Sequence, residues 1–429
     1  MTKLSDMSEF KKSKHHPTRL QIRSAGYFSR IGPGIVTGAA DDDPSGIGTY
    51  SQTGAQFGYQ FLWAAPFLLP FAFAIQETCA RLALVTGQGL AALIKHKLPN
   101  GVLLITVSLV ALANTVNIAA DLSFMAAVIG MFIPLPQLVG VVVIALLVGL
   151  AEIMIPYHQY AKVLRWLCLS LLTYIGVLVV ANVNWELAWY SLTHIDIEFS
   201  KLHIAAIIAI AGTTISPYLF FWQAAQEMEV SNDVPDTSLG HIRAMRSDVF
   251  AGMFSGIFVM FAIMTTTAAT LNAQGITEIN SPEQAALALE PIAGQGAGLL
   301  FALGILGTGL LAIPVLAGST AYAVSEAMGW TESLERKPSQ AKQFYTVIAV
   351  SMLIAVALNF LDINPVRSLV VAALLNGLTA PVLMFIVWWL ARDKQLLGEW
   401  VSPWWSNLLV GAGAVMMAAL PVLWLFAPN

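Results

Sequence analysis

Eleven apolar runs divide this chain, and each is as long as the ~20 residues a helix needs to cross a hydrocarbon core of ~30 Å. No water is available at that depth to satisfy an open backbone, so such runs must be helical. The composition agrees: 57% of the 429 residues are hydrophobic, 11% are charged and the mean hydropathy is +0.72. A soluble domain carries about 25% charged residues. The chain therefore reads as an all-α polytopic membrane protein. Spans are predicted at about 31–58 (broken at 43–46), 61–86, 100–130, 137–154, 162–182, 203–229 (broken at Ser216-Pro217), 248–272, 297–328, 342–361, 366–390 and 404–426. A short outer helix is expected around Glu283–Leu289.

Charge placement orients these spans. With the N-terminus inside, 19 of the 21 Lys and Arg residues fall on inner segments, and only Lys201 and Arg367 fall outside. Segment 274–296 has neither Lys nor Arg. By the positive-inside rule the N-terminus is expected in the cytoplasm and the C-terminus outside. Residues 1–30 form a basic cytoplasmic tail, solvated or resting on anionic lipid, with no cleavable leader evident. Cys79 and Cys168 fall near inner helix ends and are expected as free thiols. The tail is the only basic run, so nucleic-acid binding has no support. No His-Glu-x-x-His motif occurs, and all seven histidines lie in tails, loops or span ends, so no enzyme is expected. The remote enzymatic alternative is an intramembrane aspartyl protease built from Asp43 and Asp121.

The first span contains Gly38-Ala-Ala-Asp41-Asp42-Asp43-Pro44-Ser45-Gly46. A charge at mid-membrane costs several kcal/mol and marks a functional site by default. Pro44 lacks an N–H and Gly46 loosens the backbone further. A helix break frees carbonyls beside the acids, and carbonyls with a carboxylate make a hard-oxygen cation site. From this stretch alone a second reading stands beside it: a kinked helix end whose acids lie in surface water.

The sixth span repeats the pattern. Gly212-Thr213-Thr214-Ile215-Ser216-Pro217-Tyr218 again leads small and polar residues to a mid-span proline. The two breaks are five spans apart, an odd number, so the broken spans run oppositely through the membrane. That is the pattern of a five-plus-five inverted repeat holding its substrate between two discontinuous helices. The expected division is 1–30 (tail), 31–182 (first repeat), 183–390 (second repeat) and 391–429 (eleventh span and C-terminus).

Other polar residues surround this pair. Asn117 and Asp121, spaced i, i+4, share a helix face, with Asn114 completing a stripe. The stripe either reaches the water of the site or, for the asparagines, glues helices together. Asn376 either lends an amide oxygen or packs. Tyr218 borders the second break. Glu227 and Glu229 line an inner vestibule or meet Arg243 and Arg246.

At these residues the chain resembles the Nramp family of divalent-metal transporters, which have the LeuT-type fold. The resemblance rests on Gly32-Pro33-Gly34-Ile35 followed by Asp43-Pro44, on Gly212-Thr213-Thr214 followed by Pro217, and on Ala80-Arg81-Leu82 through Val85-Thr86-Gly87. It implies Asp43 as a metal ligand. Where the family usually has Asp-Pro-Gly-Asn and Met-Pro-His, this chain has Asp43-Pro44-Ser45-Gly46 and Ser216-Pro217-Tyr218. Without the soft methionine sulfur, which favours transition metals, hard oxygens remain: Asp43, Ser216, Thr213 and carbonyls. Mg²⁺ prefers oxygen and parts reluctantly with water, so a roomier site suits it. This resembles the Nramp-related magnesium transporter branch, as does Asn114–Leu122. Asp41, Asp42, Gly46, Asn117, Asp121, Tyr218 and Asn376 are expected around the ligands, and Pro44 and Pro217 at the breaks.

The family's proton route uses acids on its third span, a histidine at the second break and basic residues on its ninth span. Here Asp121 matches one acid, Tyr218 replaces the histidine, and 347–361 has no Lys, Arg or His. The expectation is therefore a secondary transporter carrying Mg²⁺, and also Mn²⁺, into the cytoplasm with weak or no proton coupling. The alternatives are a proton-coupled Mn²⁺/Fe²⁺ carrier and a Na⁺-coupled amino-acid carrier. The expected partners are membrane lipid and the metal substrate, with no cofactor and no obligate protein partner. The expected location is the bacterial cytoplasmic (inner) membrane.

Overall fold

A computed structural model describes residues 32–155, 172–231, 238–334, 336–361 and 363–428, which form helices and turns with no strand among them. The first span is two helices, α1 (Pro33–Asp41) and α2 (Pro44–Phe57). Next come α3 (Ala64–Thr86), short α4 (Leu90–Lys97), α5 (Asn100–Gly130), α6 (Gln137–Met154) and α7 (Leu172–Val180). On the predicted outer side α8 (Trp185–Thr193) follows. The sixth span is α9 (Lys201–Thr214) and α10 (Pro217–Ser231), and the seventh is α11 (Leu239–Thr270). After two short helices, α12 (Pro282–Ala286) and α13 (Glu290–Ala293), come α14 (Ala297–Met328), α15 (Lys342–Leu358), α16 (Pro365–Leu390), α17 (Lys394–Leu397) and α18 (Trp404–Phe426). Nine of the described helical stretches are long and apolar enough to cross a membrane. The first span is missing from that set because every stretch of it long enough to cross contains Asp41, Asp42 and Asp43. Residues 162–171 of the expected fifth span, with Cys168 among them, lie outside the described residues; Cys79 is a free, buried thiol.

Two boundaries differ from expectation. The first break falls at Asp42–Asp43, not 43–46, because Pro44 opens α2 instead of interrupting it. Proline suits that first position, where its missing N–H has no intrahelical acceptor to lose. Asp43 supplies the N-cap, accepting from Gly46 N at 2.6 Å. The seventh span begins at Leu239, nine residues before the expected 248, because Ser238 caps it through His241 N at 3.3 Å. Its first turns carry Arg243 and Arg246, which apolar patterning excludes from a span but helix geometry does not.

Packing places the broken spans at the centre. α9 and α10 are buried almost throughout, whereas α6 exposes Val139, Val143, Leu146, Leu147 and Leu150 as a rim helix in lipid does. α1 lies along α11, and α10 lies along α3. The first span thus rests on the seventh as the sixth rests on the second, an exchange that an inverted repeat produces. α5 crosses the interior against α14 and α16 and touches α2. Gly212 and Gly377 let α9 and α16 meet backbone to backbone: a side chain at Gly377 would meet Ile208 O at 2.5 Å.

Candidate functional site

The three adjacent aspartates do not converge. Asp43 turns toward α5, where Asn117 Nδ2 donates to its Oδ2 at 2.8 Å. Asp41 and Asp42 turn toward α11: a methyl group on Gly256 would lie 3.6 Å from Asp41 Oδ2 and 3.8 Å from Asp42 Oδ2. All three are buried, at 3%, 6% and 2% exposure, so the reading of acids in surface water does not describe them. Among the described residues no three Asp, Glu, His or Cys side chains are grouped to hold a metal by themselves. A cation here would have to draw on carbonyl, amide and hydroxyl oxygens as well.

Those oxygens meet at Gly46. A methyl group on Gly46 would lie 3.2 Å from Asp41 O, 3.3 Å from Thr213 Oγ1 and 3.4 Å from Asp43 Oδ1. The first two belong to the two broken spans, so the bare face of Gly46 opens onto oxygen from both. Asp41 O is free for this because α1 ends there, and Thr213 stands in the last turn of α9 for the same reason. The donor set is hard oxygen throughout, suited to Mg²⁺, Ca²⁺ or Mn²⁺.

Ser216 lies at the second break, with its hydroxyl donating to Thr213 O at 2.7 Å and Gly212 O at 3.1 Å. Its proton is committed to closing α9, and only its lone pairs face outward. Tyr218, the second residue of α10, donates to Ala40 O at 3.0 Å and so ties the end of α1 to the sixth span. Tyr50 and Thr214 make a further bond between the broken spans at 3.0 Å.

Several buried oxygens around this centre have no partner: Asp41 Oδ1, Ser45 Oγ, Asn117 Oδ1 and Asn376 Oδ1. Buried polar atoms are normally bonded, and exceptions point to function or to ordered water. Asp121 is fully buried and faces Asp43. Asn114 does not join them. Its amide binds Leu316 O at 3.2 Å and Thr320 Oγ1 at 2.9 Å, gluing α5 to α14. Arg246 does not meet Glu227 or Glu229 in a salt bridge; it binds Glu77 at 2.7 Å, and Glu77 also pairs with Arg81 on its own helix. Glu229 accepts from Tyr322 OH at 2.7 Å.

Sequence patterning missed Thr37 and Gln223, which with Glu227 form a buried file beside α1. Thr37 Oγ1 lies 2.6 Å from Gln223 Oε1, and Gln223 Nε2 reaches Glu227 Oε2 at 3.5 Å. It also missed Asp248, whose Oδ2 accepts from Gly34 N at 2.6 Å. These partners lie 186 and 214 residues apart, beyond any local signal.

Known proteins share this architecture. The family profile described as "Natural resistance-associated macrophage protein-like" matches residues 34–427. The divalent metal cation transporter MntH of Vibrio campbellii is 25% identical over 428 residues, covering 97% of this chain and 92% of its own length. That of Acidiphilium cryptum is 24% identical over 412 residues, covering 91% and 89%. Among solved structures, an Eremococcus coleocola manganese transporter aligns with a TM-score of 0.76 at 15% identity, covering 95% of this chain and 89% of its own. Mhp1, a nucleobase-cation-symport-1 transporter, aligns at 0.59 with 11% identity, covering 92% of each. The fold is accordingly the LeuT-type five-plus-five inverted repeat with the first and sixth spans broken, and the chain, a multi-pass membrane transporter and not an enzyme, belongs to the Nramp family.

Proposed function

We propose that the chain carries a divalent metal cation into the cytoplasm by alternating access, through an all-oxygen site that accepts both Mn²⁺ and Mg²⁺. The observation that carries this reading is the convergence of Asp41 O, Asp43 Oδ1 and Thr213 Oγ1 on the bare face of Gly46. Asp43 supplies the charge. Asn117 holds its other oxygen, and the Ser216 lone pairs stand at the second break. The relatives' names support a divalent metal as substrate, and one structural neighbour is a manganese transporter. Mn²⁺ and Mg²⁺ share a preference for carboxylate, carbonyl and water, so an oxygen site with neither sulfur nor imidazole serves both. The charge asymmetry of the loops supports an inner N-terminus and an outer C-terminus. An inside-negative potential then drives uptake by about 2.3 kcal/mol per charge per 100 mV, doubled for a divalent ion.

Uptake into proteoliposomes, with Mn²⁺ and Mg²⁺ side by side, tests this reading. Both ions should enter, and Asp43→Ala should abolish entry of both. Entry of Mn²⁺ alone would remove Mg²⁺ from the proposal, and undiminished entry in the variant would remove Asp43.

A second reading, proton-coupled Mn²⁺ transport, is favoured by Asp121. Its carboxyl is fully buried beside Asp43, a place where a proton can reside. Acidification of the lumen in step with Mn²⁺ uptake, lost in Asp121→Asn, selects this reading; uptake indifferent to pH selects the uncoupled one.

A further inference from the structure

The half-helix α1 is held in an unusual way. Its N-cap position is Gly32, which has no side chain to bond the free amides of the first turn. An α-helix leaves four such N–H groups unsatisfied, and in a dry setting each needs a partner. Here the partner comes from another span. Asp248 of α11 accepts from Gly34 N at 2.6 Å and faces the Gly32 and Ile35 amides as well. Gly32 must be bare for this, because a side chain there would run into the Asp248 carboxylate.

The rest of the contact is flat. A side chain on Gly34 would meet Val249 N at 2.5 Å, one on Gly38 would collide with Gly252 O, and one on Gly252 would collide with Gly34 O. Backbone therefore meets backbone at these glycines. α1 is nine residues long and is separated from α2 by the non-helical turn at Asp42–Asp43. Beside it runs the buried file Thr37, Gln223 and Glu227, which continues from the acids of the break toward the predicted cytoplasmic side.

We propose that Asp248 is the latch of an inner gate. Its carboxylate holds α1 on α11 while the site is closed to the cytoplasm, and its release lets α1 swing away and uncover the Thr37–Gln223–Glu227 file as the exit route. This inference rests on the alternating-access reading. Asp248 is a positioning residue, acting on the ion only through α1. The first-turn amides that it frees face cytoplasmic water once α1 has moved, so they exchange one acceptor for another and the latch can close again. The Gly32-Pro33-Gly34 motif then has a mechanical meaning: Gly32 admits the latch, Pro33 removes one amide needing a partner, and Gly34 admits the α11 backbone.

The test uses the full-length protein with Cys79 and Cys168 replaced by serine and a reporter thiol at Thr37, a position with no exposure in the closed structure. A membrane-impermeant maleimide is applied from the cytoplasmic side, without metal. In the parent the reporter should stay protected. Asp248→Ala should speed its labelling at least several-fold, with Asp248→Asn between, and Gly34→Ala should mimic Asp248→Ala by wedging α1 off Val249. The double variant Gly32→Asp with Asp248→Ala separates latch from simple cap, because it restores a cap within α1 but no tie to α11. Its reporter should still label fast. Return of protection in the double variant, or protection in a well-folded Asp248→Ala protein, overturns the latch. Labelling is read without transport, so failure here is distinct from failure of metal uptake.

Discussion

Asn117 Nδ2 donates to Asp43 Oδ2 at 2.8 Å, so the carboxylate at the first helix break is aimed from a different span. Its Oδ1 accepts from Gly46 N at 2.6 Å. The two bonds divide the carboxylate: one oxygen is anchored on α5, and the other stays on the face that opens toward Thr213. Asn117→Leu leaves a buried acceptor short of a partner, a loss of about 1–3 kcal/mol. Metal uptake should fall by about tenfold to a hundredfold, since 1.4 kcal/mol is a factor of ten. Uptake kinetics in proteoliposomes check this, and an unchanged KM would remove Asn117 from the site.

Gly46→Ala tests the space itself. The added methyl would sit 3.2 to 3.4 Å from three oxygens, tight but short of a collision. The protein should therefore fold, with a melting temperature close to the parent's. It should bind metal at least about tenfold more weakly, a change of 1.4 kcal/mol. Calorimetric titration with Mn²⁺ reads this directly.

The inner ends of α3 and α11 are joined through Glu77, which is fully buried and shared by Arg81 and Arg246. Removing one partner of a buried pair costs about 3–5 kcal/mol because the other charge is left uncompensated. Glu77→Ala should lower the detergent-solubilised melting temperature strongly. Arg246→Ala should do so less, because Arg246 is about one third exposed (32%) and rests partly on the Trp405 ring. Equal losses in the two variants would contradict this ranking.

Glu332, in the segment after α14, gives a pH signature. Burial, then the nearby Glu326 and Glu229 carboxylates, push its carboxyl up to about 9. The folded protein therefore holds a proton there that the unfolded chain releases above its ordinary value of 4.5. Stability from this group is fully present at low pH and declines as pH rises toward 9. Glu332→Gln fixes the neutral form, so its melting temperature should match the parent's near pH 5 and exceed it increasingly up to pH 9. A constant difference across that range would exclude Glu332 as the source.

Much of this was legible in the chain. Apolar run length located α5, α6, α14 and α18 within a residue or so, since the bilayer imposes one dominant rule. Pro44 and Pro217 marked both breaks, because proline at mid-span cannot continue a regular helix. What the residues could not reveal was direction. Asp41, Asp42 and Asp43 are chemically alike in sequence, and the bend at Asp42–Asp43 alone sends one toward α5 and two toward α11. Arg246 shows the same limit, for its partner Glu77 lies 169 residues away.

The exchanged packing of the two broken spans has a consequence for how many ways the molecule can move. α1 lies on α11, α10 lies on α3, and Glu77 ties α3 to α11. The first, second, sixth and seventh spans are thereby linked, with Glu77 closing the link at the inner ends of α3 and α11. When α1 parts from α11, that tie still holds the second span to the seventh, so one short helix moves while its neighbours keep their places. A pair of spin labels on α1 and α11 should then report opening, while a pair on α3 and α11 keeps a constant distance.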